Sequence, residues 1–407
     1  MTPSTQQRLE DFALLGRMSK RRDDLVVFLG RAGGRLMDNV KYLYLHACAK
    51  EYGFNSLFFT THRDEYELLK NAGLPVVMPE ARGVSIVAKA GVIVMDDQPV
   101  HQAEAYLLGL GARKIQLWHG IPLKKIGFPE VDSGVNMTEE KARRLRENYS
   151  ACETVLSTSA WVTEQLFSKV FKADAFLELG YPRNDILLRE VEKNDLLNAD
   201  VDCYALVKRH KRAGGKVVAY MPTFRDTGRD FVDESGNVVL QPQELAAFTQ
   251  AHGVLFLLKL HPYVEDRRLS AIPGVVRYPS RKDIYPLLPL ADALVTDYSS
   301  VYMDYLLLNR PIHFFAYDQQ RYCAQDREFF FPYEDMTPGP IARTQRELLA
   351  DLHASLILGQ DRHERDRLAL SDKLFTHADA CASQRICEHI QTLLRPPGQA
   401  ATHPVQP

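Results

Sequence analysis

The feature that most constrains the fold of this chain is an alternation of short apolar segments with charged or amphipathic ones, which runs through the sequence twice. The first set comprises DLVVFLG (24–30), SLFFTT (56–61), VSIVAKAGVIVM (84–95), KIQLWHG (114–120) and TVLSTS (154–159). The second set comprises KVVAYMPTF (216–224), VLFLLKLHP (254–262), GVVRY (274–278), ADALVTDYSS (291–300) and RPIHFFAY (310–317). Buried strands that alternate with helices are typical of parallel sheets covered on both faces. The pattern predicts an α/β fold with two Rossmann-like, doubly wound domains that face a cleft.

The length of 407 residues also favours two domains, because single hydrophobic cores rarely grow that large. We predict an N-terminal helical segment over 1–22, a first domain over 23–195 and a second over 196–394. The Pro-rich tail 395–407 is predicted to be disordered. A last helix over 361–394 is expected to pack back across the first domain.

Composition excludes several classes of protein. The net charge of -2 excludes a globally basic nucleic-acid binder, so no nucleic-acid partner is expected. The six cysteines show no CxxC spacing and are interpreted as reduced thiols of a cytosolic protein. The N-terminus lacks the apolar core of a signal peptide, and no window approaches 18 apolar residues, so no transmembrane helix is expected.

Titratable side chains stand where two of the predicted strands end. His119 follows the strand IQLW, and its imidazole is suited to general-base work near neutral pH; it could equally cap the next turn. Lys259 and His261 end the strand LFLLKLHP. A Lys in a buried strand needs a partner, so we predict an acidic or phosphate group beside Lys259, with a structural ion pair as the alternative.

Two further strand ends carry groups that could hold a diphosphate. Thr223 and Arg225 follow the strand KVVAY, and a guanidinium can give phosphate two parallel hydrogen bonds, although a surface loop is an alternative. Asp297, Ser299 and Ser300 follow the strand ALVT and precede a helix predicted over 301–308. The N-terminus of a helix favours anions, and a plain N-cap without a ligand is the alternative.

Several common motifs are missing from the sequence. The turn at Gly30–Gly34 is not a GxGxxG fingerprint, and there is no Walker motif or convincing DxD metal pair. Asp96-Asp97 is interpreted as part of a loop. No metal and no cofactor are therefore predicted.

The ordered set of motifs resembles the CDP-glycerol glycerophosphotransferase family, whose members make teichoic acids and glycerol-phosphate capsules. The matching segments are DNVKYLY (38–44), LWHGIPLKKIG (117–127), GYPRND (180–185), YMPTFRD (220–226), LKLHP (258–262), TDYSS (296–300), RPIHFFAYD (310–318) and PGPI (338–341). The resemblance implies a glycosyltransferase-B-like fold. One departure is that Arg327-Glu328-Phe329 stands where the family usually has Arg-Gly before its aromatic run.

The resemblance also implies roles for individual residues. His119 resembles the acceptor-side catalytic base, and Asp297 resembles the residue that fixes its loop. The implied donor contacts are Arg225, His261, Ser299 and Ser300, with Thr223 and Lys259 as further substrate-binding residues. An acceptor hydroxyl would attack the β-phosphorus of CDP-glycerol and CMP would leave, with a protonated His261 donating to the departing phosphate oxygen. His119 and His261 are thus the predicted catalytic pair.

The predicted partners are CDP-glycerol and a lipid-linked or polymeric hydroxyl acceptor. We expect a cytoplasmic protein that is peripheral on the inner face of the cell membrane, attracted to anionic lipid through the basic stretches 17–22 and 141–146. Three alternatives stay open: a sugar-nucleotide glycosyltransferase or epimerase of the same fold, a CDP-ribitol-dependent transferase, and a non-catalytic scaffold.

Overall fold

A computed structural model describes residues 3–98, 103–150, 152–225, 230–260 and 272–394. The chain divides into two compact units. One contains Met1–Trp118, Cys152–Val155 and Cys381–Pro407, and the other contains His119–Ala151 and Leu156–Ala380. These units are groups of segments that contact one another, and they do not test the domain limits that were predicted from the sequence. Those limits stay a prediction. His261 and the Pro-rich tail lie outside the described residues.

The first sheet has seven strands in the order β3-β2-β1-β4-β5-β6-β7. These strands are β1 (Arg22–Leu29), β2 (Asn55–Phe59), β3 (Val76–Val77), β4 (Ala90–Met95), β5 (Arg113–Gln116), β6 (Cys152–Ser157) and β7 (Ala173–Glu178). Every neighbouring pair from β3 to β6 is parallel. This is the strand order of a doubly wound Rossmann sheet.

The second sheet repeats that order with six strands, β10-β9-β8-β11-β12-β13, and all its pairs are parallel. These strands are β8 (Lys216–Met221), β9 (Val254–Leu258), β10 (Val275–Arg277), β11 (Ala293–Thr296), β12 (Ile312–Phe315) and β13 (Ile341–Ala342). Four of them, β8, β9, β11 and β12, are almost entirely buried because helices cover both faces. The two sheets confirm the predicted α/β class.

Helices connect the strands. The α-helices are α1 (Pro3–Met18), α2 (Arg31–Gly34), α3 (Asp38–Ala49), α4 (Arg63–Asn71), α5 (Ala81–Val87), α6 (Ala103–Leu108), α7 (Phe128–Ser133), α8 (Glu139–Ser150), α9 (Ala160–Val162), α10 (Ser168–Val170), α11 (Val201–Arg212), α12 (Pro242–His252), α13 (Val301–Tyr305), α14 (Gln319–Gln325), α15 (Gln345–Leu352), α16 (Glu364–Leu374) and α17 (Ala382–Leu394). The π-turns are Thr163–Phe167 and His353–Ile357. The 3₁₀ turns are Pro182–Leu187, Asn194–Leu196, Tyr285–Leu290, Leu306–Leu308 and Tyr333–Met336.

Two of the predicted helices have limits that differ from those in the structure. The segment 1–22 is not helical throughout, since α1 ends at Met18 and β1 begins at Arg22. The limits predicted for the helix over 301–308 are confirmed, although it is α13 followed by a 3₁₀ turn, which ends where Asn309 takes a left-handed conformation with φ of 44°. The long helix predicted over 361–394 is two helices, α16 and α17, separated by a non-helical segment.

The prediction that the C-terminal helix packs back on the first set of strands is confirmed. Helix α17 contacts α3 and β4 within one unit. The side chain of Gln391 donates to the carbonyl of Tyr52 at 2.6 Å. The amphipathic sequence of α17 buries Ile386 and Ile390, which lie one helical turn apart on the same face.

Candidate functional site

The predicted donor residues lie along the carboxyl edge of the second sheet. Lys259 follows β9, Thr223 and Arg225 follow β8, and the segment 297–300 follows β11. These three strands are neighbours, and β8 and β11 flank the point at which the strand order reverses. Ligands of open α/β sheets bind at this switch point, outside the carboxyl ends of the strands.

Arg225 is the centre of a buried ion-pair network at this edge. Its side chain is fully buried, and its Nη1 donates to Asp297 Oδ2 at 2.8 Å. Its Nε and Nη2 donate to the two carboxylate oxygens of Asp318, both at 2.8 Å. Arg321 donates a further hydrogen bond to Asp318 at 2.9 Å. The two guanidinium groups and the two carboxylates cancel in charge.

Aromatic rings surround the Arg225 guanidinium. Its carbon lies 4.8 Å from the ring centre of Tyr298 and 5.2 Å from those of Tyr317 and Tyr322. Burial alone would lower the pKa of Arg225, but the charges of Asp297 and Asp318 outweigh it and raise that pKa well above its usual value. Arg225 is therefore permanently charged, and the donors described above are directed at protein acceptors. A direct contact between Arg225 and a diphosphate stays a prediction.

Asp297 shapes the loop that follows β11. Its Oδ1 accepts the main-chain N–H of Thr223 at 2.8 Å and also that of Tyr298. Its main-chain carbonyl accepts the Tyr333 hydroxyl at 2.9 Å. Asp297 thus ties the end of β11 to the end of β8, because its carboxylate accepts hydrogen bonds from the main chain of Thr223 and the side chain of Arg225, which both follow β8.

The hydroxyl groups of Thr223 and Ser300, on either side of Asp297, make fewer hydrogen bonds within the described part of the protein than its carboxylate does. Ser299 and Ser300 are partly exposed, and Ser300 occupies the N-cap of α13 without a capping hydrogen bond from its side chain. Thr223 Oγ1 is buried and makes no hydrogen bond with the described residues. The alternative in which Ser300 only caps its helix is therefore not supported by the geometry.

Lys259 has partners that the sequence did not predict. Its ammonium group donates to three main-chain carbonyls, those of Pro279 at 3.3 Å, Ser280 at 3.0 Å and Lys282 at 2.8 Å. These bonds hold the loop after β10 against the end of β9. The second predicted histidine, His261, lies outside the described residues, so its role stays a prediction.

His119 lies in the same unit, beside a second buried cluster. The main-chain carbonyl of His119 accepts Nη1 of Arg183 at 2.9 Å. Arg183 Nη2 donates to Asp304 Oδ2 at 2.6 Å, and the same oxygen accepts the Tyr285 hydroxyl at 2.6 Å. Because Asp304 follows the predicted donor loop by four residues, one short stretch of chain, 297–304, joins the two clusters.

The lysines after His119 pair with the segment that departs from the family pattern. Lys125 Nζ lies 2.6 Å from a carboxylate oxygen of Glu328, and the two residues also share a main-chain hydrogen bond of 2.8 Å. Lys124 lies 5.9 Å from the ring centre of Tyr322. Arg327 forms an ion pair of 2.9 Å with the buried Glu130. Lys124 thus lies near a ring of α14, and Lys125 is paired with the segment that follows this helix.

Sequence reasoning gave no role to several members of these clusters, among them Arg183, Tyr285 and Asp318. Arg183 and Asp318 lie in matching segments, GYPRND and RPIHFFAYD, but nothing in those segments shows what they contact. Tyr285 lies in an apolar stretch without any polar signal. Among the described residues, no group of three or more His, Cys, Asp or Glu side chains is placed to hold a metal ion.

Comparison with known proteins identifies the family. The profile of the family described as CDP-Glycerol:Poly(glycerophosphate) glycerophosphotransferase matches residues 12–392. The chain belongs to this family. A teichoic acid glycerol-phosphate transferase of Staphylococcus aureus is 31% identical over 68% of this chain and 70% of its own length. A teichoic acid ribitol-phosphate primase of Bacillus spizizenii is 28% identical over 69% of each chain. The predicted family and enzyme class are confirmed.

Solved structures confirm the fold. A structure of the wall teichoic acid polymerase TagF covers 96% of this chain and 94% of its own, with a TM-score of 0.72 and 25% identity. A structure described as a MnaA–UDP complex of S. aureus has a TM-score of 0.53 at 11% identity. The latter likeness concerns the fold alone, and it agrees with the glycosyltransferase-B-like architecture implied by the motifs.

Proposed function

We propose that this protein transfers glycerol phosphate from CDP-glycerol to a hydroxyl of a polymeric or lipid-linked acceptor during synthesis of a teichoic-acid-like or capsule polymer, releasing CMP. The observation that carries the proposal is the convergence of the motif residues of β8, β9 and β11 at the switch point of the second sheet. Family membership gives the class of donor.

The chemistry requires one bond to form and one to break. The acceptor hydroxyl oxygen attacks the β-phosphorus of the donor, and the bond from that phosphorus to the bridging oxygen breaks, so that CMP leaves. His119 takes the hydroxyl proton. Thr223, Ser299 and Ser300 are suited to bind the diphosphate through their hydroxyl groups, and Arg225 and Asp297 hold this loop in place. Catalysis of this kind rests on alignment and charge stabilisation.

A ribitol-phosphate donor is the second candidate, because a ribitol-phosphate primase is among the relatives of this chain. CDP-glycerol and CDP-ribitol share the cytidine diphosphate that the switch-point residues are proposed to bind. Incubation of the protein with each donor and with UDP-N-acetylglucosamine, followed by mass spectrometry of the products, separates the candidates. Release of CMP from neither CDP-alditol in the presence of glycerol-phosphate and glycan acceptors would reject the proposal.

The first prediction tests the base. His119→Ala is expected to lower the rate of transfer about 10²–10⁴-fold, the usual effect of losing a positioned general base, while the dissociation constant for CDP-glycerol stays within a few-fold. Single-turnover kinetics and calorimetry measure the two quantities on the same protein. His210→Ala is the matched control, because this histidine is on α11 and bonds the carbonyls of Lys216 and Gly253, at the opposite end of β8. Turnover at the wild-type rate by His119→Ala would reject the assignment.

We also propose that the protein associates peripherally with the inner face of the cell membrane. No described helix is long and apolar enough to cross a bilayer. Helix α1 exposes Leu14 and Met18, at 57% and 76%, one turn apart, next to the exposed charges of Arg17 and Lys20. An apolar strip flanked by basic residues is suited to an anionic lipid surface.

A further inference from the structure

We propose that Arg183 is a positioning residue for the transfer reaction, which fixes the main chain that carries His119. The inference rests on the proposed function, since it gives Arg183 a role only through His119. The direct observation is the hydrogen bond of 2.9 Å from Arg183 Nη1 to the carbonyl oxygen of His119. The residue lies in GYPRND, a motif to which the sequence alone assigned no role.

Arg183 is itself held rigidly. It lies in the 3₁₀ turn Pro182–Leu187, all of whose residues are buried, and its side chain is 5% exposed. Asp304, which is also buried, accepts Arg183 Nη2 and the Tyr285 hydroxyl on the same oxygen, both at 2.6 Å. The guanidinium carbon lies 5.1 Å from the ring centre of Tyr285. Separating this pair would leave a desolvated charge, so the guanidinium keeps its place.

The chain around His119 is bent so that it meets this guanidinium. Trp118 has φ of 57°, which is uncommon for a residue with a side chain, and Gly120 has φ of 133°. A Cβ atom on Gly120 would lie 2.8 Å from Arg183 Nη2, so glycine is needed for the close approach. Unfavourable backbone angles persist where surrounding contacts over-determine them, and they are common at functional sites.

Two consecutive carbonyls of this bend accept side-chain donors. Asn39 Nδ2 donates to the carbonyl of Trp118 at 2.8 Å, and Arg183 donates to that of His119. Rotation of either peptide would break a hydrogen bond to a buried donor. The bond from Arg183 therefore restricts rotation of the peptide that carries the His119 carbonyl, and with it the direction in which the chain presents the His119 side chain. A catalytic group displaced by about 1 Å can lose about 10²-fold in rate.

The proposal distinguishes positioning from simple stabilisation of the fold. If Arg183 only stabilises the unit, its loss lowers the melting temperature and leaves the kcat of the folded protein unchanged. If Arg183 positions His119, its loss lowers kcat, leaves KM for CDP-glycerol within a few-fold, and has no further effect once the imidazole has been removed. A decrease in kcat that depends on the presence of His119 shows coupling between the two residues, which a loss of stability would not produce.

The test is a double-mutant cycle of Arg183→Gln and His119→Ala, with kcat, KM and melting temperature measured for the full chain. We expect Arg183→Gln to lower kcat about 10–100-fold. Arg183→Lys, which keeps the charge but not the planar guanidinium, should lower kcat by a smaller factor. In the His119→Ala background, Arg183→Gln should change kcat less than twofold. Arg189→Gln is the matched control, because Arg189 also pairs with a buried carboxylate, that of Asp195, but does not contact His119.

A milder variant keeps the proposal testable if Arg183→Gln does not fold. Tyr285→Phe removes one hydroxyl from Asp304 and should lower kcat a few-fold, again only while His119 is present. Effects of Arg183 and His119 that multiply, or full kcat in folded Arg183→Gln or Tyr285→Phe, would overturn the positioning role. Wild-type turnover by His119→Ala alone would instead show that the base assignment in the proposed function is wrong, and the positioning role would fail with it.

Discussion

At the scale of single residues, the site consists of charges that hold other groups in place. The guanidinium of Arg225 is bound to Asp297 and Asp318, and that of Arg183 to Asp304. Asp297 and Asp304 belong to the segment 297–304, and Asp318 accepts the hydroxyl of Tyr298 in that segment at 2.9 Å. Groups buried with their partners keep a fixed geometry because moving them apart would expose unpaired charge to a medium that solvates it poorly. Most of the charged groups in the site therefore serve to position others, and only a few side chains are left to contact the reactants.

Arg225→Ala is predicted to destabilise the fold. The change leaves two carboxylates buried without their main partner, which costs about 3–5 kcal/mol for a buried pair. Urea unfolding of the variant measures the loss in free energy of unfolding. Arg22→Ala is the control, because Arg22 forms an exposed pair with Asp24 that contributes at most about 1 kcal/mol. If Arg225→Ala unfolds like the wild type but loses affinity for CDP-glycerol, Arg225 acts on the donor directly.

At the scale of elements, the candidate site is held together by residues at the ends of strands rather than by the caps of the helices that follow. Helix α13 has only five residues, and its N-cap serine does not cap it. The loop between β11 and α13 is instead fixed by Asp297. Helix α15 differs, because Thr344 accepts from the main chain of Glu347 and Glu347 accepts from the N-cap main chain in a complete capping box.

This contrast predicts opposite phenotypes for two sets of variants. Ser299→Ala with Ser300→Ala should raise the dissociation constant for CDP-glycerol, with up to roughly 1.5–3 kcal/mol for each hydrogen bond lost to a charged group, and should leave the melting temperature unchanged. Thr344→Ala should lose about 1 kcal/mol of stability and keep normal donor affinity. Calorimetry and thermal melting of both proteins are the measurements. Lower stability with normal affinity in the serine variant would reject the diphosphate role.

Helix α1 carries the prediction for membrane association. Its Phe12 packs on the core, and its Gly16 lies close to the main chain of α6, so Leu14 and Met18 are left exposed. Leu14→Gln with Met18→Gln should reduce pelleting with phosphatidylglycerol-containing vesicles at least tenfold, because each buried apolar side chain contributes about 1.5–3 kcal/mol. Leu368→Gln, at a similarly exposed leucine on α16, is the control. Equal pelleting of the wild type with neutral and anionic vesicles would reject an electrostatic contribution.

At the scale of the whole molecule, the chain repeats one architecture twice. Both sheets have the strand order 3-2-1-4-5-6 when counted from their own first strand, and the first sheet adds a seventh strand. All the described residues of the candidate site belong to one of the two compact units. A donor that binds these residues would therefore stabilise the unit that contains them, and through it the folded chain.

The corresponding prediction is a donor-specific thermal shift. CDP-glycerol at about 100 times its dissociation constant should add roughly 2.7 kcal/mol to the stability of the folded state, and UDP-N-acetylglucosamine should add none. Differential scanning calorimetry of the full chain measures both. A larger shift with the UDP-sugar than with CDP-glycerol would favour the glycosyltransferase or epimerase alternative.

The sequence alone determined the fold class, the family and most of the strand ends that form the site. Apolar strands interrupted by helices leave a parallel sheet as the one arrangement that buries both faces, and the residues after each strand must then meet at one edge. This reasoning placed Thr223, Arg225, Asp297 and Ser300 correctly relative to their strands. The motifs supplied the expected chemistry.

Only the tertiary structure decided what each charged group contacts. Lys259 bonds three carbonyls, Arg225 is enclosed by carboxylates, and Arg183 reaches His119 across 64 positions of sequence. A motif shows that a guanidinium or an ammonium is present, but the partner depends on how distant segments pack. Burial then makes that partner obligatory, because an unpaired charge in the interior costs more than any local preference of the chain can supply.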